Sequence, residues 1–296
     1  MRPLKDSKTI SNRISLPVLI GKGAYMHAQK SIFITGAGSG IGRATALYFA
    51  ARGWFVGLFD LNAKTLSSLA NEIGAANCCY QRVDVTRPED LAAAVATFGG
   101  RTGGRMDALF NCAGILFMGP HFKIAIENQQ KIVEVNFVGI LNCINAAFDL
   151  LKQTPGAHII NMASASAVYG TPELAVYSAT KSAVCGLTEA LNIEFELHGI
   201  QVCDVLAPYV QTPLITDSEV KASSIEKLGI RLMPEDVARV VWQAAHGRRV
   251  HWHVSLLLKI LVFLSWAFPF ARRQLVKFLT FSPESHLSGE NQLNRR

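Results

Sequence analysis

Short runs of β-branched and aromatic residues recur along the chain, each followed by a longer stretch of helical character. The first run, 31–35 (SIFIT), reads as a buried strand. It feeds a glycine-rich turn at 36–42 and a helical stretch at 43–52 that ends at Gly53. Further strands are predicted at 54–60, 77–83, 106–112, 157–162 and 200–206. One helix is predicted from about residue 87, with Thr86 as its N-cap and Pro88 in its first turn. Another starts near Asn136 and runs to about Leu151, and a third spans about 175–198 and ends at Gly199. Pro234 opens a last helix of the body, to about His246. Strands alternating with helices at intervals of roughly 25–30 residues predict an α/β fold. The fold class is a single doubly wound parallel sheet with helices on both faces.

Ligands in such sheets bind beyond the carboxyl ends of the strands. The chemistry-bearing residues of this chain cluster there. Thr35-Gly36-Ala37-Gly38-Ser39-Gly40-Ile41-Gly42 lies between a strand and a helix. Its glycines let the backbone approach a pyrophosphate, and the helix N-terminus supplies free N–H groups. Asp60 ends the second strand, 18 residues after Gly42. An acid there accepts hydrogen bonds from an adenosine ribose and repels a 2′-phosphate. Neither Ser39 nor Leu61 is basic, so the expected cofactor is NAD rather than NADP; Arg43 is the one residue that favours NADP. Asp84 and Val85 follow the third strand. Small residues in Asn111-Cys112-Ala113-Gly114, after the fourth, would let a dinucleotide lie flat.

Ser164 follows the fifth strand, and Tyr177 and Lys181 stand 13 and 17 residues further on. Tyr177 and Lys181 are spaced i, i+4, which places both on one helix face. A phenol titrates near pH ~10 when unperturbed, and a nearby ammonium lowers that value. The pair is a candidate acid/base for an alcohol oxygen. Asn136 is mildly unfavourable within a helix, which points to a role beyond helix formation.

Taken together, Thr35-Gly36-x-x-x-Gly40-Ile41-Gly42, Asp60, Asp84, Asn111-x-Ala113-Gly114, Asn136, Ser164 and Tyr177-x-x-x-Lys181 resemble the short-chain dehydrogenase/reductase family, over about residues 28–246. The resemblance implies a Rossmann-type fold and a tetrad of Asn136, Ser164, Tyr177 and Lys181. Tyr177 would be the acid/base. Lys181 would hold the nicotinamide ribose and lower the tyrosine pKa. Ser164 would steady the substrate oxygen, and Asn136 would hold a relay water. Thr212 would contact the nicotinamide amide, although Pro208 stands where the family usually has glycine. A dimer or tetramer is also implied.

The segments expected over the site, 115–122 and 167–169, are apolar, so a lipophilic alcohol or carbonyl is the expected substrate. Residues 213–232 are expected to form a lid. Two alternatives stand beside this reading. One is an NADP-dependent reductase of a small polar carbonyl; the other is a non-catalytic nucleotide-binding protein on the same fold.

Net charge adds a further feature. The chain of 296 residues carries +7, but residues 31–245 carry −4, while 1–30 carry +5 and 246–296 carry +6. An acidic body argues against nucleic acid as a partner. Basic ends point to a membrane surface. Apolar residues crowd 254–270 around Lys259, and 271–281 mixes Arg272, Arg273 and Lys277 with apolar positions. That pattern suits a helix lying in a membrane interface, or a helix pair folded over the pocket or a subunit contact. The run is too short to be a good bilayer span. The expected location is cytoplasmic with peripheral membrane contact.

Four segments are expected: a 1–30 extension with Met26 as an alternative start, a 31–250 catalytic domain, a 251–281 helical extension and a polar 282–296 tail. The six cysteines contain no C-x-x-C and read as small buried residues of a reducing compartment. His251 and His253 would share a strand face. No third ligand is visible nearby, so no metal is expected.

Overall fold

The computed structural model describes residues 29–218 and 220–281. Most of the 1–30 extension, with Met26, and the whole 282–296 tail lie outside the described residues.

Seven strands form one parallel sheet in the order β3-β2-β1-β4-β5-β6-β7. They are β1 (Ser31–Thr35), β2 (Phe55–Asp60), β3 (Cys78–Arg82), β4 (Ala108–Asn111), β5 (His158–Met162), β6 (Gln201–Leu206) and β7 (His251–His253). The order reverses between β1 and β4, which opens the crevice where such sheets bind ligands. β7 pairs in parallel with β6, Asp204 opposite His251, so the sheet continues past the expected domain limit at residue 250.

The helices of the body follow in chain order. They are α1 (Gly40–Ala50), α2 (Ala63–Ile73), α3 (Pro88–Thr102), α4 (Ile126–Val133), α5 (Gly139–Gln153), α6 (Ala175–Glu194), α7 (Pro213–Thr216), α8 (Ser223–Leu228) and α9 (Pro234–Ala244). Alternate strand residues feed two separate cores. Ile32, Ile34, Val56 and Leu58 meet Phe49 of α1, Leu66 of α2 and Val241 of α9. Phe33, Phe59 and Leu109 meet Phe98 of α3, Ile144 of α5 and Val184 of α6. Phe33 stacks on Phe59 at 3.9 Å, with the Phe98 ring edge-on at 5.5 Å.

Local chemistry sets several boundaries. Asn62 caps α2, accepting from the N–H groups of Lys64 and Thr65. Pro88 occupies the first turn of α3 as expected, but the residue before it is Arg87 and no side chain caps the helix. The Thr86 hydroxyl bonds Asp84 instead. The helix expected to begin near Asn136 begins at Ile126. Asn136 sits in a π-turn, Glu134–Val138, between α4 and α5.

Two helices follow the sheet: α10 (Leu256–Ala267), capped by Ser255, and α11 (Arg272–Thr280). Leu258 of α10 is buried in the core beside α6. α11 packs on α8, where the Lys227 ammonium donates to the carbonyls of Phe278 and Phe281 at 3.0 and 2.7 Å. Arg272 donates to the Val168 carbonyl. The extension therefore folds over the substrate end of the body. Its other side is bare: Leu256, Leu257, Phe263, Trp266, Phe270 and Phe278 are exposed.

Candidate active site

The carboxyl ends of the central strands line a cleft of about 400 Å³, a size typical of small-molecule sites. At one end lies the glycine turn, with Gly36, Ser39, Gly40 and Ile41 on its wall. Gly36 adopts φ +70, and a Cβ there would stand 2.8 Å from the Ala113 Cα. Gly42 lies behind this wall, where a Cβ would stand 2.0 Å from the Gly36 carbonyl oxygen. The turn therefore closes only with hydrogen at both positions. It delivers the first turn of α1 to the cleft with no acid in it. These features fit a bound pyrophosphate. Gly42→Ala is expected to destabilise the fold by about 1–3 kcal/mol, because the clash is with backbone. Its melting temperature and its NADH titration should both fall; a variant that melts and binds like the parent would contradict this account of the turn.

Asp60 lines the cleft beside this turn. Its carboxylate accepts the Gly38 and Asn62 N–H groups, each at 3.0 Å, so it also braces the turn. Arg43 is drawn away to Glu72, at 2.5 Å. Asp84 and Val85 line the next stretch, and Asp84 Oδ1 accepts from the Thr86 N–H and hydroxyl at 3.0 and 2.7 Å. Ala113 and Gly114 lie on the wall between the two ends. Asn111 does not reach the cleft, contrary to expectation. Its amide donates to Asn161 Oδ1 at 2.9 Å within the sheet interior, and Asn161 donates on to Thr188. The register explains this: Asn111 is still a paired strand residue, opposite Asn161.

Ser164, Tyr177 and Lys181 meet at the other end. Ser164 lies close enough to the Tyr177 phenol to pull its pKa down, and it accepts from the Ser166 N–H and hydroxyl at 3.2 and 3.1 Å. The Lys181 ammonium donates to the Met162 carbonyl at 2.7 Å and lies 5.6 Å from the Tyr177 ring centroid. Burial pushes the Tyr177 phenol up to about 12, against a smaller opposing pull from Ser164. Burial likewise brings Lys181 down to about 8. The expected lowering of the tyrosine pKa by the lysine is therefore not what this arrangement produces. Burial dominates the Tyr177 shift and Lys181 is not among its causes; the ammonium is turned to the Met162 carbonyl.

Asn136 is fully buried and does not line the cleft. Its amide donates to the Ile115 carbonyl at 2.9 Å and accepts from the Ile115 N–H at 2.8 Å. The side chain clamps the strand-end loop that carries Gly114 and Ile115. The π-turn places it there, as such turns often do at functional sites.

Thr212 lines the cleft, its methyl 3.0 Å from the Cβ position of Gly40, which joins the sixth strand end to the glycine turn. Pro208 lies on the same wall. Beyond them Leu116, Met118, Leu174, Ile215, Ala222 and Ile225 form a small apolar cluster against Tyr177 and Tyr209. The expected lid segment supplies three of these, Ile215 of α7, Ala222 just before α8 and Ile225 of α8, and Val210 pairs with Leu232 at its base.

Sequence reasoning missed Tyr209, Glu173 and Thr280. Tyr209 lines the cleft and shares a 2.6 Å hydrogen bond with Ser224. Glu173, buried at φ +65, accepts from the Ser223 N–H at 2.5 Å while its carbonyl accepts from Gly119 at 3.0 Å. It ties three loops together over the substrate end. Thr280 of α11 is buried against the cleft. Tyr209 lies between Pro208 and Thr212, both singled out in the sequence. The other two carry no local signal.

Known proteins match this arrangement. The short chain dehydrogenase family profile matches residues 30–222. Cyclohexanol dehydrogenase from an Acinetobacter species is 34% identical over 220 residues, 72% of this chain and 86% of the relative. The 2,5-dichloro-2,5-cyclohexadiene-1,4-diol dehydrogenase of Sphingobium indicum is 32% identical over 188 residues, 63% of this chain and 74% of the relative. The crystal structure of a 3-ketoacyl-(acyl-carrier-protein) reductase from Brucella melitensis complexed with NADH superimposes with a TM-score of 0.69 at 31% identity, covering 76% of this chain and 96% of that one. The chain belongs to the short-chain dehydrogenase family, and with it to the NAD(P)-dependent oxidoreductases that act on CH–OH groups.

Proposed function

We propose that the chain is an NAD-dependent dehydrogenase that interconverts a lipophilic, cyclic secondary alcohol and its ketone, with Tyr177 as acid/base. The observation that carries this reading is one cleft with Asp60 at one end, and Ser164, Tyr177 and an apolar cluster at the other. Names of relatives supply the cyclic alcohol: two of them are dehydrogenases of six-membered carbocycles. The ion pair of Arg43 with Glu72 supports NAD, since it engages the one cation near the glycine turn that would favour NADP.

When bound, the cofactor exchanges a hydride with the alcohol carbon and, oxidised, brings positive charge to the site. The protein's own part is the proton. In reduction, the neutral Tyr177 phenol donates its proton to the carbonyl oxygen, which Ser164 steadies as charge develops. In oxidation, the same oxygen takes the alcohol proton. Lys181 adds a second charge beside the ring. The apolar cluster excludes water from the reacting carbon. NADH formation with NAD or NADP and a graded series of cyclic and linear alcohols tests the reading. Turnover confined to NADP or to small polar substrates would overturn it.

The bare face of α10 and α11 supports a second element of this reading: peripheral contact with an anionic bilayer. Trp266 and Phe270 are each 79% exposed, and exposed Arg273 and Lys277 flank them. α10 has 12 residues and is about 18 Å long, too short to cross a bilayer core. The double variant Trp266→Glu, Phe270→Glu is expected to weaken co-sedimentation with phosphatidylserine vesicles by about 100-fold. Turnover of a water-soluble alcohol should be kept. Parent protein that stays in the supernatant would refute the membrane contact.

A further inference from the structure

α6 carries Tyr177, Lys181, Cys185 and Glu189 at successive i+4 positions, a single stripe along the helix. The first two serve the cleft. The next two lead away from it, to the edge of the sheet. There Cys185 meets Asp204 of β6 and His251 of β7. Their sulfur, carboxylate oxygen and ring nitrogen all lie within 4.8 Å of one another. His251 Nδ1 stands 3.0 Å from each Asp204 oxygen. Its Nε2 stands 3.2 Å from Glu189 Oε1.

Asp204 is fully buried on β6, the strand beside the sheet edge. A buried carboxylate is costly unless it is paired or bound to a metal. Among the described residues no lysine or arginine bridges it; its ion-pair partner is His251, whose side chain is 34% exposed. Thiol, carboxylate and imidazole are three ligand types of tetrahedral zinc sites. Around zinc, bonds of roughly 2.0–2.3 Å set ligand atoms about 3.3–3.8 Å apart. The cluster needs only small side-chain shifts to reach that spacing. Glu189 has the position of the outer carboxylate that commonly accepts the second N–H of a zinc-bound histidine.

The geometry points to a zinc site formed by Cys185 Sγ, Asp204 and His251 Nδ1, with Glu189 holding His251 from outside. Binding releases the thiol proton, and the thiolate and carboxylate together neutralise the divalent cation. Water completes the coordination on the exposed side. The ion would staple the helix bearing Tyr177 and Lys181 to the last two strands, and so to the strand from which α10 and α11 depart. The expectation of no metal considered His251 with His253, but the partners of His251 come from α6 and β6, 47 residues away in the case of Asp204.

The test uses the purified full-length chain. After zinc loading and gel filtration, elemental analysis should find one zinc per chain. Cobalt substitution should give a thiolate charge-transfer band. Cys185→Ser and His251→Gln should each weaken zinc binding by about 100-fold or more, and Glu189→Gln by about 10-fold. Cys203→Ser, one residue from Asp204 on β6, should leave binding unchanged. Zinc should raise the Tm of the parent and of Cys203→Ser, but not of Cys185→Ser. Should Cys185→Ser fail to fold, the partly exposed His251 decides through His251→Gln. Folded parent protein that retains no zinc overturns the proposal. So does zinc whose binding ignores both ligand variants. Neither result depends on the substrate or cofactor of the cleft.

Discussion

Tyr177→Phe is expected to lower kcat by about 10²–10⁴-fold, the usual contribution of a positioned acid/base. The phenyl ring keeps its place in the apolar cluster with Leu116 and Leu174, so folding should survive. Lys181 keeps its bond to the Met162 carbonyl, so its position does not rely on the phenol. What disappears is the phenol oxygen and the proton it carries. NADH binding, followed by fluorescence titration, should therefore change little while turnover collapses. Equal turnover in parent and variant would assign the proton to another group, and Tyr177 would be a packing residue. The direction of the tyrosine shift adds a detail. A phenol pushed up to about 12 stays protonated at neutral pH. In the proposed mechanism such a phenol suits the acid role in carbonyl reduction, and the base role needs added positive charge nearby.

Asp60→Asn should reduce the preference for NAD over NADP by about 100-fold. The argument is electrostatic. A carboxylate facing a 2′-phosphate costs several kcal/mol in like-charge repulsion, and each 1.4 kcal/mol is a factor of ten. Asparagine keeps an acceptor for only one of the Gly38 and Asn62 N–H groups, which bond different oxygens of Asp60, so the Tm should fall by the loss of about one hydrogen bond. The change should appear as a gain in kcat/KM with NADP more than as a loss with NAD. Parent protein that already prefers NADP would show that Asp60 serves the turn alone.

Much of this was legible before the structure. The glycine turn, Asp60, Ser164, Tyr177 and Lys181 could be placed because each follows a strand end or shares a helix face, and both relations are local in sequence. Asn111 was read as lining the cofactor with the loop after the strand, but it is the last paired strand residue and its side chain turns into the sheet interior toward Asn161. Asn136 was seen as unusual, but its clamp on Ile115 depends on a π-turn that periodicity does not reveal. Glu173 and Thr280 act only through chain segments folded over from elsewhere. The shift of the Tyr177 phenol followed burial, which residue spacing does not report.

The pairing of β1 with β4 also constrains how this protein is made. The Ser31 N–H bonds Asp107 and the Thr35 hydroxyl accepts from Cys112, contacts that bridge 76 and 77 residues. Every strand pair in the sheet is parallel, so each closes only after an intervening crossover. Long-range pairing of this kind is slow and leaves strand edges open meanwhile. During synthesis the glycine turn emerges first, yet its wall at Ala113 arrives nearly eighty residues later. A nascent chain therefore carries half a nucleotide site and an unpaired β1 edge for seconds at ordinary translation rates of roughly 5–20 residues per second. Early nucleotide cannot help it fold, and protection of that edge by chaperones becomes part of the cost of this architecture.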